Sequence, residues 1–472
     1  MVNDWQAERA VADERTEAGA VRPGAGRPMS PAGRPMSPKA ARRVLVLLGA
    51  GSAVFTRGLL ADVMAAGDLG PWCLRLVDVN GEALEVAARL ATRMVEAQGR
   101  QGSVSLETFT DRREALQGAA FVVSCIGVGG REAWGRDWDV ARRYGIYQSV
   151  GDSVLPGGLS RAMRTVPVLV EIANDIARYC PDALFFNYSN PMTANCYAVT
   201  KAGVDVVGLC HGVFHTHQEL AQLVGARLSE TSVAYCGINH LTFIYDMRLG
   251  GEPAWPLLRD KIGEARHKDP FSWELFERLG VYPAPGDRHT TEFFPERFAH
   301  GEYYGKTLGV DAFSLKDTID KDQQRYDLMR SEAMGETDLD LAVFDRSDGE
   351  QEQLIGILRS ICTGQPSMVS GNVPNRGLVR DLPPEAVLEV PCLVGAGGAR
   401  AVSVPHIPAA IAGILQRRLA PVPVVVEAAL TGDRELFAEA LILDGAVSDP
   451  AVASAMADDF VTEQRAYLPL FS

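Results

Sequence analysis

Two kinds of hydrophobic pattern follow each other along the chain. From residue 43 to about 210, short continuous apolar runs alternate with stretches of helical periodicity. Such runs are typical of strands buried on both faces of a parallel sheet. The predicted strands are 44–48, 73–77, 120–124, 183–187 and 204–209, and the predicted helices are 53–66, 82–98 and 161–178. This alternation predicts an α/β fold with a Rossmann-like, doubly wound parallel sheet.

Beyond residue 230 the pattern is less regular and predicts an α+β region. Strands are expected at 233–235 and 241–247, and helices within 255–280 and 309–362. The segment 369–391, rich in Asn, Pro and Val, is expected to form sheet edges and loops, and 405–466 to be helical with one apolar face. Because the pattern changes there, we predict two domains, 43–215 and 216–472.

Residues 1–42 have no such periodicity. They contain a direct repeat, Gly26–Pro31 followed by Gly33–Pro38, in a sequence rich in Pro, Gly, Ser and Arg. Such a segment buries too little apolar area to offset its ordering entropy, so we expect a disordered extension. A targeting segment, or a start codon placed too early with Met29 or Met36 as the true start, are the alternatives.

Composition narrows the function classes. The net charge of −14, without a Lys/Arg cluster, argues against a nucleic-acid partner. The eight cysteines are scattered and include no C-x-x-C, which favours reduced thiols and a cytoplasmic location. We find no apolar run of transmembrane length and no secretory signal, so no membrane partner is expected.

A cofactor turn is predicted at Gly49-Ala50-Gly51-Ser52, directly between a strand and a helix. Its glycines permit a tight turn and close approach of the backbone to a pyrophosphate, although Val54 stands where a third glycine is usual. Asp78 ends the second strand, where a carboxylate accepts from ribose hydroxyls and repels a 2′-phosphate. The cofactor is therefore expected to be NAD; the alternative is a glycine turn that only packs a helix.

A metal site is predicted from Cys210, in Gly208-Leu-Cys-His-Gly212, and His240, in Gly237-Ile-Asn-His240. Asn190 follows another predicted strand, and ligands gather at the carboxyl ends of strands in open α/β sheets. Two protein ligands leave positions for substrate oxygens, as in a catalytic ion. Packed core residues are the alternative for either side chain.

Five short motifs follow one another in a fixed order: Gly49–Ser52, Gly151-Asp152, Asn190-Pro-Met192, Cys210–Gly212 and Gly237–His240. This ordered set resembles glycoside hydrolase family 4, as does the later sequence up to Asp433. The resemblance implies a fold like that of lactate and malate dehydrogenases, with NAD and Mn²⁺ or another divalent metal. It also implies a homodimer or homotetramer. Residues 43–215 would bind NAD, and 216–472 would serve substrate, metal and oligomerisation.

The reaction implied by the resemblance is hydrolysis by oxidation and elimination. NAD oxidises C3 of the sugar, the C2 proton is removed, the aglycone leaves, water adds and the hydride returns. Cys210 and His240 match the metal ligands; Asn190 and Asn239 would bind the substrate, and Asn190 would also border the cofactor. The phospho-sugar branches carry a carboxylate or amide after the cysteine, so His211 suggests an unphosphorylated α-glucoside, α-galactoside or α-uronide.

Proton-transfer groups follow less directly. Asp152 is the candidate acid, with a loop carboxylate that bonds backbone amides as the alternative. His211 is a second candidate acid, or a substrate contact. Asp287 is the candidate base and Arg288 a partner for a uronate carboxylate, unless the two form a surface ion pair. Tyr303-Tyr304 is the fallback for the base.

Two other functions remain compatible with the pattern. A malate- or lactate-type dehydrogenase would release NADH from a hydroxy acid or sugar, but its usual Arg/His spacing is not evident. A non-catalytic NAD-binding sensor would bind cofactor without turnover, and the combination of Cys210, His240 and Asn190 argues against it.

Overall fold

The protein is described from a computed structural model, which places residues 42–345, 353–404 and 406–471. The predicted extension therefore lies outside the described residues, apart from Arg42. The strands are β1 Arg43–Leu48, β2 Trp72–Val77, β3 Val104–Phe109, β4 Phe121–Ser124, β5 Leu184–Asn187, β6 Val206–Gly208, β7 Thr231–Ile238, β8 Leu241–Leu249, β9 Glu252–Pro253, β10 Tyr282–Ala284, β11 Glu302–Tyr303, β12 Lys306–Thr307, β13 Ser367–Pro374, β14 Val387–Gly395 and β15 Gly398–Ala401.

The helices alternate with strands in the first half and cluster at the C-terminus. They are α1 Thr56–Ala65, α2 Gly81–Ala97, α3 Arg112–Ala115, α4 Gly130–Arg143, α5 Leu155–Tyr179, α6 Met192–Lys201, α7 Gly212–Leu223, α8 Trp255–Ala265, α9 Pro270–Leu279, α10 Asp287–Thr290, α11 Leu315–Met334, α12 Leu354–Thr363, α13 Ala409–Leu419, α14 Pro421–Thr431, α15 Arg434–Asp444 and α16 Pro450–Glu463.

Six parallel strands form one half of the central sheet in the order β3-β2-β1-β4-β5-β6. This is the doubly wound order, with the reversal of direction between β1 and β4. Helices cover both faces, so alternate residues such as Val46 and Leu47 are both buried although they point to opposite sides. The predicted Rossmann-like parallel sheet is confirmed.

The sheet continues beyond β6 through strands that pair antiparallel, in the order β13-β14-β7-β8-β10. A single residue pair joins β6 to β13, Gly208 with Asn372, and another joins β14 to β7, Glu389 with Gly237. The expectation of sheet edges within 369–391 is wrong, because β13 and β14 lie in the interior of the sheet, whereas the expected loop is present at 375–386. Their polar residues are bonded within it: Glu389 accepts from Thr242 Oγ1 at 2.7 Å.

The two largest hydrophobic cores combine residues from the two predicted domains. One core joins Leu47 of β1 to Val390 of β14, and the other joins Leu169 of α5 to Phe460 of α16. The predicted boundary after residue 215 falls inside α7. The sheet and cores therefore run across this boundary, and the division into two domains stays a prediction.

One helical stretch of the described chain, Ala409–Thr431, is long and apolar enough to cross a membrane by length and composition. The expectation that no run reaches this length is therefore wrong. The stretch forms α13 and α14, which meet at Ala420 just before Pro421. Leu415 and Val425 are buried in the two cores, and a core helix passes the same test, so the stretch is weak evidence for a membrane span.

Candidate active site

A tight glycine turn follows β1 at the carboxyl edge of the parallel strands. Gly49 has a φ of 85°, and a Cβ there would lie 3.0 Å from the backbone of Cys125. Gly51 donates its backbone N–H to Asp78 Oδ2 at 2.8 Å, and a Cβ on Gly51 would lie 2.9 Å from that oxygen. Ser52 donates its N–H to the Gly49 carbonyl at 3.1 Å. The absence of side chains lets a diphosphate approach the backbone closely.

Asp78 is held in place at the end of β2. Its Oδ1 accepts the backbone N–H of Asn80 at 2.9 Å, while Oδ2 faces Gly51. The predicted cofactor residues of the turn and Asp78 therefore lie together, in an arrangement that fits a dinucleotide with a free 2′-hydroxyl. Their contacts with a cofactor stay a prediction.

Asp152 and Asn190 meet beyond the ends of β4 and β5. Asn190 donates Nδ2–H to Asp152 Oδ2 at 2.8 Å, and Ser153 donates Oγ–H to Asp152 Oδ1 at 2.7 Å. Burial alone would raise the pKa of Asp152, but the adjacent His240 holds it well below its usual range. Asp152 is thus placed as a hydrogen-bond acceptor that orients its neighbours, and its predicted role as the acid stays a prediction.

His240 lies in the turn between β7 and β8, with a φ of 67°. Its Nδ1 is 2.9 Å from Ser153 Oγ and 3.5 Å from Asp152 Oδ1. Burial lowers the pKa of His240, but Asp152 and the Cys210 thiol, which interact with the ring, raise it well above its usual value. Cys210 therefore lies within electrostatic reach of the His240 ring, and the two residues as metal ligands stay a prediction. With Nδ1 held by Ser153 and Asp152, Nε2 is the nitrogen left for a metal.

His289 joins this cluster, although only its neighbours were singled out from the sequence. Its ring centroid is 3.9 Å from that of His240, and ligand atoms of Asp152, His240 and His289 all lie within 4.8 Å of one another. Nδ1 of His289 is buried without a hydrogen-bond partner in the described part of the chain. Burial and the neighbouring His240 hold the pKa of His289 well below its usual value. A histidine within a Pro/Gly-rich loop was the available signal.

Asp287 faces away from this cluster. Its carboxylate accepts the backbone N–H groups of Phe271 and Ser272, at 2.8 and 2.7 Å, at the start of α9. It also accepts from Ser272 Oγ at 2.6 Å and from the Tyr303 hydroxyl at 2.7 Å. The Tyr304 hydroxyl donates to a different residue, at the surface. Neither the candidate base nor its fallback is brought to His240, and the base assignment stays a prediction.

The remaining predicted residues lie at the borders of the site. The His211 ring stacks on Tyr188 with centroids 6.3 Å apart. Arg288 donates to Thr318 Oγ1 at 3.3 Å, and its buried Nε has no hydrogen-bond partner among the residues placed. Both polar atoms of the buried Asn239 side chain are likewise unpaired within the described ranges. Buried polar groups of this kind are normally satisfied by a ligand or ordered water.

A doubly wound sheet with a glycine turn and an Asp–His–His cluster defines a class, namely dinucleotide-binding folds with a possible metal site. Comparison with known families narrows this class. Residues 44–226 match family 4 glycosyl hydrolase, and residues 235–447 match the family 4 glycosyl hydrolase C-terminal domain. The chain therefore belongs to family 4 of the glycosyl hydrolases, and the resemblance seen in the sequence is confirmed.

Individual relatives are similar over nearly the whole chain. An α-galactosidase of Rhizobium meliloti (strain 1021) is 31% identical, covering 91% of this chain and 89% of its own. An α-glucosidase of Erwinia rhapontici is 30% identical, covering 90% and 98%. A solved 6-phospho-α-glucosidase from gut microorganisms, in complex with NAD and Mn²⁺, has a TM-score of 0.79 at 19% identity, covering 92% and 100%. At that identity the structural likeness shows the fold.

Proposed function

We propose that the protein hydrolyses an unphosphorylated α-glycoside, namely an α-galactoside, α-glucoside or α-uronide, with NAD and Mn²⁺ or another divalent metal. Family membership supports hydrolysis, and the names of the two relatives support an α-linked neutral sugar. His211 directly after Cys210, where phospho-sugar branches carry a carboxylate or amide, supports an unphosphorylated substrate.

The observation that carries the proposal is the cluster of Asp152, His240 and His289, with Cys210 against His240. We assign His240, His289 and Cys210 as the residues that would hold the ion, because imidazole and thiolate groups are common ligands of transition metals. Asp152 would keep the His240 ring oriented through Nδ1, as carboxylates next to ligating histidines do. Such a set leaves open positions for oxygens of a sugar.

The other residues then have distinct tasks. When bound, NAD exchanges hydride with the sugar, and the divalent ion stabilises negative charge on adjacent sugar oxygens. Asn190 has its Nδ2 fixed by Asp152, so Oδ1 is directed to accept a sugar hydroxyl. The turn at Gly49 and the Asp78 carboxylate would hold the cofactor at the same edge of the sheet as Asn190 and Cys210.

The test is a panel of p-nitrophenyl α-glycosides with NAD⁺, Mn²⁺ and a reductant, with and without chelator. Cleavage of at least one α-glycoside is expected, and it should stop when NAD⁺ or the metal is removed. Deuterium at C2 should slow the reaction, and NADH should not accumulate in proportion to product. NADH accumulation with a hydroxy acid, or cofactor binding without turnover of any glycoside, would contradict the proposal.

We further propose a homodimer or homotetramer that acts in the cytoplasm, supported by the family resemblance. The two predicted domains both contribute to the site, because Asp152, Asn190 and Cys210 precede residue 216 whereas His240 and His289 follow it. Light scattering after size-exclusion chromatography checks the assembly, and a monomer at assay concentration would contradict it.

A further inference from the structure

Arg161 is a cation near Asp152 and Gly127 to which neither the sequence nor the family assigns a role. It lies in the second turn of α5, shortly after Asp152, and is partly buried. One of its terminal nitrogens is 3.8 Å from where a Cβ on Gly127 would stand, just beyond the carboxyl end of β4. The guanidinium is therefore beside the loop that borders the cofactor side of the cleft.

The Arg161 side chain is held in direction by an aromatic ring. Its guanidinium carbon is 5.9 Å from the centroid of Trp134. The Trp134 indole N–H donates to the Val150 carbonyl at 2.7 Å, which fixes the ring against the loop that carries Asp152. Cation–π contacts orient a guanidinium without using its N–H donors.

No hydrogen bond or ion pair joins the Arg161 side chain to any residue in the described ranges. Asp137, the nearest carboxylate on α4 within its electrostatic reach, is bonded to Arg164 at 2.6 Å. Asp152 attracts Arg161 electrostatically, but its two carboxylate oxygens accept hydrogen bonds from Ser153 and Asn190. The N–H donors of this partly buried guanidinium are thus left without a hydrogen-bond partner among the described residues, and one terminal nitrogen lies beside Gly127.

We propose that Arg161 binds the sugar, donating hydrogen bonds to oxygen substituents on the side of the ring away from the metal residues. The planar fork of a guanidinium suits two oxygens at once, either two neighbouring hydroxyls or the carboxylate of a uronide. Cofactor phosphates would have a separate place at the Gly49 turn, where the absence of side chains lets a diphosphate approach the backbone. This inference rests on the proposed carbohydrate substrate and deepens it.

The experiment compares Arg161→Gln and Arg161→Lys with the full-length wild type. Arg142→Gln is the matched control, because Arg142 also covers a tryptophan of α4, Trp138, at 4.4 Å, but is exposed. KM and kcat are measured on p-nitrophenyl α-galactoside, α-glucoside and α-galacturonide, and the dissociation constants of NAD⁺ and Mn²⁺ by titration. We expect Arg161→Gln to raise KM about tenfold to a hundredfold, the range of a lost charged hydrogen bond, with both cofactor constants within about twofold of wild type.

Comparison of the three substrates identifies which sugar oxygens Arg161 contacts. A loss of similar size on neutral glycosides supports hydroxyl contacts, whereas a loss confined to the galacturonide supports a carboxylate contact. An unchanged KM, or a weakened NAD⁺ affinity with unchanged KM, would overturn the inference. If the wild type cleaves none of these glycosides, calorimetric titration with galactose, glucose and galacturonate in the presence of NAD⁺ and Mn²⁺ still decides. Weaker sugar binding by Arg161→Gln would then support Arg161 while the hydrolase proposal fails.

Discussion

At the residue scale, two neighbours on α10 have opposite surroundings. Asp287 points toward the start of α9, and His289, two positions later, points to His240. The carboxylate of Asp287 satisfies two N–H groups of a helix start, which leaves no free oxygen directed to the cleft. The geometry thus favours a structural task for Asp287 and a task in the site for His289.

The first prediction concerns Asp287→Asn. The amide places N–H donors against the N–H groups of Phe271 and Ser272, so the folded state should lose about 1–3 kcal/mol. The midpoint of chemical denaturation checks this, and Tyr303→Phe, which removes one of the hydrogen bonds, should lose less. A variant with unchanged stability and activity reduced by more than about a hundredfold would instead identify Asp287 as the base.

The second prediction concerns His289→Ala. If His289 is a metal ligand, Mn²⁺ affinity should fall at least about tenfold while NAD⁺ affinity is retained. Titration of free Mn²⁺ by electron paramagnetic resonance measures the change. His267→Ala is the control, because His267 is exposed and its ring is hydrogen-bonded to the Glu264 carbonyl. Unchanged Mn²⁺ affinity in His289→Ala would refute the assignment.

At the element scale, two loops hold the site together. Glu292, directly after α10, accepts the backbone N–H groups of Val150 and Gly151, both at 2.8 Å. Ser149 Oγ donates to the Arg288 carbonyl at 2.5 Å. The loop with Asp152 and the segment of α10 with His289 are therefore fixed to each other, which accounts for the close approach of side chains far apart in sequence.

The third prediction is a pH dependence at Glu292. Burial raises the pKa of Glu292 to about 8, although the Val150 and Gly151 N–H groups lower it. In the unfolded chain the pKa of Glu292 is about 4.3, below its folded value. The protonated carboxyl therefore contributes its full stabilisation below the unfolded pKa, and this contribution is lost as the pH rises through 8. Glu292→Gln should therefore gain stability relative to wild type between pH 5 and pH 9. Thermal melts of both proteins across this range check it; parallel curves would contradict it.

At the scale of the whole molecule, one sheet passes through both predicted domains. β6 of the first half pairs with β13, and α5 packs against α14 and α15, so that Leu169 and Phe460 belong to the same core. Neither half encloses its core alone, because Leu47 and Val390 belong to one cluster. This shared burial makes cooperative folding the expected behaviour.

The fourth prediction follows from these shared cores. A fragment of residues 42–230 should not fold alone, since it would expose the apolar surface that β13, β14 and the C-terminal helices cover. The full chain should unfold in one transition monitored by circular dichroism and tryptophan fluorescence. A soluble fragment with protected amides in hydrogen exchange, or two separated transitions, would show that the halves are independent.

Local sequence patterns were sufficient to predict the parallel half of the sheet and the glycine turn with Asp78, whereas Cys210 and His240 as metal ligands stay a prediction. Buried parallel strands appear as apolar runs, and a glycine turn is a local feature, so both can be recognised from a few adjacent residues. Three features could not be read from local sequence: β13 and β14 are interior strands, Asp287 accepts hydrogen bonds from the start of α9, and His289 joins the cluster. These outcomes depend on partners distant in sequence. Glu389 fits a central strand because the Thr242 hydroxyl donates a hydrogen bond to its carboxylate. His289 lies close to His240 because Glu292, just after α10, is hydrogen-bonded to the loop that carries Asp152.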